Sequence, residues 1–461
     1  MYKSSASEDY NTLGIAWVKD ATYLPDLRNK DGWVSEFYVR NDGAEPRSVT
    51  IHYFDTNGSP TPKVSDTCVL YPNQWCWIPV DAYNRIPAGT TGSAVVGGGE
   101  DVSVVVENQA DDKRERTSYT GVLSSGSSGS LGWEQAGSTL YAPVIKRQYG
   151  GRSSTIHLTN AGAQDTMVYV YYYNDNGEDR WSGPYSLEPN GKVAISPSGG
   201  DSGGCAGPDT ICSARIYSID DQPLVGVVQE YQDTDGEVVT THNLFSAGTT
   251  SIYFPVVKRK YGNMSTGLRI QNVGSALTTI TVHFYDQEGR EISCSPLQDS
   301  AQPFAAKTFY ASTCPGDGFL GSAVATASQR LVGMANEVST DGRYKKAYSS
   351  FQGGSHTAYG PLVYRTYYQD GYTWDAGIAV QNLSTQQVNV NLYYYHANGS
   401  SAGSQTNQTI AGRGMGAFFA PQSNFKGSVL ITADQDIAAI VNVINNAPSG
   451  DTHAIYNASN R

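Results

Sequence analysis

The 461 residues leave room for about three or four domains, and the chain carries a formal net charge of −12 with only 16% charged residues. An acidic chain repels a phosphate backbone unless it gathers basic residues on one face. Its basic residues recur far apart in sequence, as at Lys146–Arg147 and Lys258–Lys260, so nucleic acid is not an expected partner. Gly (49) and Tyr (32) are abundant while Glu, Lys and Leu are not, which disfavours a helical enzyme and favours an all-β chain with no membrane span.

Residues 1–14 are polar and lack the apolar centre of a secretion signal. Beyond them one pattern recurs four times. Each unit opens with Tyr-x-Pro, at Tyr23, Tyr141, Tyr253 and Tyr359. The prolines lie about 110 residues apart, far beyond solenoid periods, so each unit is expected to hold its own core. A strand then ends in a polar turn at Asn41, Asn160, Asn272 and Asn382, followed two residues later by Gly43, Gly162, Gly274 or Ser384. Next come strands with clear period-two alternation, Val49–Asp55, Val168–Asn174, Ile280–Asp286 and Val390–His396. In the second of these Val168, Val170 and Tyr172 share one face, and Tyr169, Tyr171 and Tyr173 the other. Hairpin turns follow at Gly58, Gly177, Gly289 and Gly399. Gly-Ser-Ala-Val-like segments lead into long apolar strands at Val102–Asn108, Leu224–Glu230, Leu331–Glu337 and Ile437–Val443. Closing strands are expected around Tyr119, Phe245, Ser350 and Ile455.

Short strands with frequent turn signals predict four tandem Ig-like antiparallel β-sandwich domains, over 15–123, 138–248, 249–354 and 355–461. The segment 124–137 reads as a Gly/Ser-rich linker about which the first unit could swing. Cysteines fall as one near pair in each of the first three units: Cys68 with Cys76, Cys205 with Cys212, Cys294 with Cys314. Pairing within units favours disulfides and an oxidising, extracellular or cell-surface compartment.

Catalytic and metal constellations are not expected. His52 and His283 share a repeat position with Tyr171 and Tyr393, which suits a surface side chain better than a general base. The acidic loops Asn174–Asp179 and Asp233–Glu237 contain calcium-type oxygens, but turn chemistry accounts for them, and no cofactor is expected. A polar position recurs within the long apolar strand, at Glu107, Gln229, Asn336 and Asn442. It reads as a group hydrogen-bonded to a neighbouring strand or loop. Tyr171, Tyr173, Tyr393 and Tyr395 are the candidate interface residues, for another protein or for sugar rings. Asn-x-Ser/Thr sequons stand at Asn57, Asn263, Asn382, Asn398, Asn407 and Asn457.

The Tyr-x-Pro, Gln-Asn-x-Gly, Tyr-Tyr-x-x-x-Gly and Gly-Ser-Ala-Val motifs resemble those of tandem β-sandwich repeat proteins of Chloroflexota-type bacteria, predicted to be extracellular. The resemblance runs from about Ile15 nearly to the end, rests on short motifs, and implies a surface-exposed array without transferring an active site. The first unit departs most, with Asp26 and Asn29 where its siblings carry apolar or basic residues. The expected role is non-catalytic: a structural or adhesive protein, such as the subunit of a filament or surface coat, partnered by itself, other surface proteins or glycans. The alternatives are a carbohydrate-binding array and the accessory region of a secreted enzyme.

Overall fold

A computed structural model of the protein describes residues 20–460, apart from 111, 113–114, 125–134, 198–204, 235–237, 312 and 448–451. The polar segment 1–14, the start of the first unit and most of the 124–137 linker lie outside the described residues. The chain is all-β, built from antiparallel sheets. No helix among the described residues is long and apolar enough to cross a membrane.

The second repeat shows the unit most simply. One four-stranded sheet runs in the order Thr139–Arg147, Thr210–Ser218, Thr166–Tyr173, Asp179–Leu187. The other runs Lys192–Ile195, Arg152–Asn160, Leu224–Gln232, Val238–Asn243. The other repeats reproduce these pairings. In the third and fourth, single long strands, Phe319–Ser339 and Phe425–Asn445, serve both sheets. Alternation sorts the faces as its period requires: Val168, Val170 and Tyr172 are buried between the sheets while Tyr169 and Tyr171 lie on the outer side.

Two sequence motifs gain physical reasons. Each turn asparagine staples its own loop. Asn41 Nδ2 donates to the carbonyls of Glu45 and Leu70 while its Oδ1 accepts from Gly43 N–H, and Asn160, Asn272 and Asn382 repeat the arrangement. The Tyr-x-Pro prolines cannot donate to the ladder, and the strand register shifts at each of them. The bulge leaves the next residue's backbone to be satisfied otherwise. Tyr119 hydroxyl takes both groups of Asp26, donating to its carbonyl at 2.6 Å and accepting from its N–H at 3.3 Å. Tyr348 does the same for Val256, and Tyr456 for Leu362. In the second repeat His242 holds the tyrosine position, buried, with neither ring nitrogen hydrogen-bonded.

The four repeats are arranged in a closed ring. The first strand of each repeat faces the second strand of the next, and Ser355–Arg365 of the fourth faces Trp33–Asn41 of the first. The closing strands Arg116–Thr120, Val238–Asn243, Lys345–Ser349 and His453–Asn457 meet in the middle. There one residue from each donates to the backbone carbonyl of its counterpart in the preceding repeat. Asn243 donates to Thr120 O at 2.7 Å, Ser349 to Asn243 O at 3.4 Å, Asn457 to Ser349 O at 2.7 Å, and Thr120 to Asn457 O at 2.7 Å.

Closure corrects two expectations. The first repeat is packed against the second on one flank and the fourth on the other, rather than held by the linker alone. Nor is every core private to its unit. Ala379, Met415 and Ile440 of the fourth repeat join the core of the third, and Tyr38 and Val105 of the first join that of the fourth.

Candidate functional site

The seams between repeats use equivalent positions with different chemistry. At the seam of repeats one and two, the carboxylate of Asp26 is fully buried and ion-paired with Lys192. It also accepts from Gln229 Nε2 at 2.6 Å and Arg28 Nε at 3.0 Å, with His157 Nδ1 at 3.3 Å. Burial alone would raise its pKa, but Lys192 and Arg28, joined by His157 once that ring is protonated at low pH, outweigh it and hold the carboxyl well below the usual range. Burial in turn pushes His157 down to about 3, so its imidazole is neutral and its Nε2 accepts from Arg28 at 3.2 Å.

At the seam of repeats four and one, large side chains fill the space. Arg116 pairs with Glu107 and lies 3.8 Å from the Trp374 ring centroid. Tyr38 hydroxyl and Trp77 Nε1 donate to the two oxygens of Glu36 at 2.7 and 2.8 Å. Lys426 Nζ stands 5.1 Å from the Tyr38 ring and 5.5 Å from Tyr364.

At the seam of repeats two and three the same register positions carry smaller groups. Strand pairing places Gly267 where the first repeat has Glu36, Thr308 where it has Trp77, and Asn336 where it has Glu107. The result is a crevice of about 270 Å³. Its walls include Val144, Ile211, Met334 and Val338, with Tyr149 and Tyr310 half-exposed beside them. Its charges are already matched: Lys146 Nζ to Glu230 at 2.7 Å, and Arg269 to Asp175 at 2.5 Å with a further bond to Thr308 at 2.8 Å. Asn336 Oδ1 is buried without a hydrogen-bond partner.

The interface candidates divide in two. Tyr173 is buried against Phe304 of the third repeat, ring centroids 5.3 Å apart, and its burial raises its pKa to about 12. Its counterpart Tyr395 sits 5.9 Å from the Arg40 guanidinium of the first repeat. Tyr173 therefore serves a seam inside the chain, while Tyr395 stands half-buried beside one. Tyr171 and Tyr393 remain on outer sheets. Tyr171 belongs to an aromatic cluster found on the second repeat: Tyr217 stacks with both Tyr171 and Tyr169 at 5.8 and 5.7 Å, and Trp181 lies 5.8 Å from Tyr169. Met167, Trp181 and Ile219 are exposed around it. The register equivalents of Tyr169 are Thr50, Thr281 and Asn391, so the siblings lack this surface.

Disulfides join Cys68 to Cys76, Cys205 to Cys212 and Cys294 to Cys314. The basic repeat positions are structural: Lys146 and Lys258 are spent on the buried carboxylates of Glu230 and Glu337. The recurring polar position reaches further than a local hydrogen bond, since Gln229 binds Asp26 and Asn442 accepts from Lys346, each in another repeat. His283 is bonded to Glu291 at 2.7 Å on the surface. The Asn174–Asp179 loop is closed by its own Asn174 side chain. The other acidic loop runs outside the described residues at 235–237. No cluster of metal-ligand side chains occurs among the described residues. Of the sequons, Asn382 and Asn457 are buried and hydrogen-bonded, which leaves no room for a glycan in the folded chain.

The seam residues Asp26, Lys192, His157, Glu107 and Arg116 were missed as a group. One signal was present: the closing strand Arg116–Thr120 mixes charge and hydroxyls without alternation, and every residue in it is buried.

No protein-family model matches the chain, and no curated protein matches it. Similar solved structures include Thermotoga maritima 1070, at 15% identity over 22% of this chain and 90% of that one, with a TM-score of 0.18. A glycoside hydrolase family 32 protein from Bifidobacterium adolescentis aligns at 9% identity over 93% of this chain and 99% of its own, with a TM-score of 0.15. The pilus adhesin SpaC from Lactobacillus rhamnosus GG aligns at 10% over 96% of this chain and 57% of its own, with a TM-score of 0.13. Overlaps this slight carry no functional argument.

Proposed function

We propose that the protein is a non-catalytic extracellular or cell-surface protein with a structural or adhesive role, built from four Ig-like sandwich units joined in a ring. The three disulfides support an oxidising setting. The observation that carries the adhesive reading is the outer aromatic surface of Tyr169, Tyr171, Tyr217 and Trp181. Contiguous apolar surface on an otherwise polar sheet marks an interaction site, and tyrosine and tryptophan serve such sites because they offer apolar area with a polar tip. The ring uses up repeat-on-repeat docking within one chain, so assembly into a coat or filament falls to outer sheets such as this one.

Sedimentation of the full chain over a wide concentration range, with Tyr171→Ala and Trp181→Ala beside it, tests this. Self-association that both substitutions weaken supports the reading; monomers throughout, with no partner retained by the surface, sink it. The same aromatic cluster favours one second reading, stacking on pyranose rings. A glycan array separates the two, because binding lost in Trp181→Ala would place carbohydrate there.

A further inference from the structure

We propose that the crevice between repeats two and three is a small-molecule site for a neutral, two-ring aromatic compound bearing one hydrogen-bond donor. Space is left open at this seam and filled at the seam of repeats four and one. Position for position, Gly267 replaces Glu36 and Ile211 replaces Lys426, so nothing from the protein occupies the volume that side chains take up between repeats four and one. A side chain would be tolerated at Gly267: an added Cβ would meet only the Tyr310 ring, at 3.5 Å. An apolar crevice left unfilled forgoes the packing that a guest of matching shape would supply.

Size and lining define the occupant. About 270 Å³ exceeds the ~150 Å³ cavity that admits a single benzene ring, and suits two fused rings. The floor is aliphatic. Access is past Tyr149 and Tyr310, 37% and 50% exposed, whose faces favour an aromatic guest. A charged guest would find no free counter-charge, since Lys146 and Arg269 already hold Glu230 and Asp175. The group left wanting is Asn336 Oδ1, a buried acceptor with no donor. A turn of the Asn336 amide toward the crevice would let one N–H or O–H on the guest satisfy it. This inference goes beyond the adhesive reading and does not depend on it.

Indole and 1-methylindole, which lacks the N–H, are the probes, titrated into the full chain by calorimetry and ligand-observed NMR. Indole is expected to saturate one site and to bind about tenfold more tightly than 1-methylindole, as a single satisfied buried acceptor would give. Gly267→Leu fills the crevice and is expected to abolish binding, while Gly377→Leu, the equivalent position between repeats three and four, leaves it intact. Asn336→Leu keeps binding but erases the preference for indole, which decides the matter even where Gly267→Leu fails to fold. Absence of saturable binding, or binding that Gly267→Leu leaves unchanged in a folded protein, overturns the proposal.

Discussion

The seam between repeats four and one and the seam between repeats two and three are built on one register and solved differently. The first joins units far apart in sequence, and it is crowded: Glu36, Tyr38, Glu107, Arg116, Tyr364 and Trp374 are all nearly or fully buried. The second joins consecutive units and keeps a crevice. The contrast follows from loop-closure entropy. Consecutive repeats are held near one another by their short connection, whereas bringing the first against the fourth carries a larger closure cost, which the buried side chains of that seam help to offset. It teaches that pseudo-equivalent interfaces in one chain can divide the work, with one securing the ring and another free to keep open space.

The largest effect is expected at the crowded seam. Arg116→Leu leaves Glu107 and Glu36 buried without their paired guanidinium and with only Lys426 as a neighbouring cation, and breaking a buried pair in this way costs about 3–5 kcal/mol. Chemical denaturation should show that loss, with the first and fourth repeats melting ahead of the others.

A second difference separates the closing strands of the second and fourth repeats, where His242 stands in place of Tyr456. Burial holds His242 at about 4, as it holds His157 near 3 and, with help from neighbouring cations, His453 near 2. An unfolded histidine takes its proton near pH 6.5, so between that pH and the folded values the unfolded chain binds more protons and stability falls as pH falls. The depressed carboxyls of Asp26, Glu230 and Glu337 act lower: their contribution is present above the unfolded carboxylate pKa and is lost as pH drops through the folded one. The melting temperature should therefore begin to decline below about pH 6.5. His242→Tyr should recover roughly 1–2 kcal/mol at pH 5 and less at pH 7.5. An equal gain at both would show that packing, not titration, is responsible.

The smallest effect belongs to the open seam. Arg269→Leu frees Asp175, whose side chain is 48% exposed and returns to water, so the expected loss is only about 1 kcal/mol by denaturation. A cost as large as that of Arg116→Leu would erase the distinction between the seams.

Much of the unit was legible in the sequence because each signal is local. Alternation in Val168–Tyr173 marks the face turned to the partner sheet, Asn41 and its counterparts mark a turn they themselves close, and near cysteines mark disulfides within one unit, although Cys68 and Cys76 join strands that pair with different neighbours rather than the two arms of a hairpin. The ring was not legible. The outward residue of the second strand is Tyr38, His157, Arg269 or Ala379, four chemistries for one structural task, so no repeat pattern survives there. Asp26 looked like a departure of the first repeat from its siblings and is instead the anion at the centre of a seam. Its cation, Lys192, lies more than a hundred residues away and on another repeat, beyond the reach of any periodicity. Tyr173 is buried for the same reason: its outer face is outer only to its own sandwich.

Small-angle X-ray scattering of the full chain in dilute solution tests ring closure most directly. A closed, compact arrangement of this length predicts a radius of gyration of about 23 Å. Four sandwiches strung end to end would give roughly 40 Å and an extended distance distribution, and that result would contradict the account.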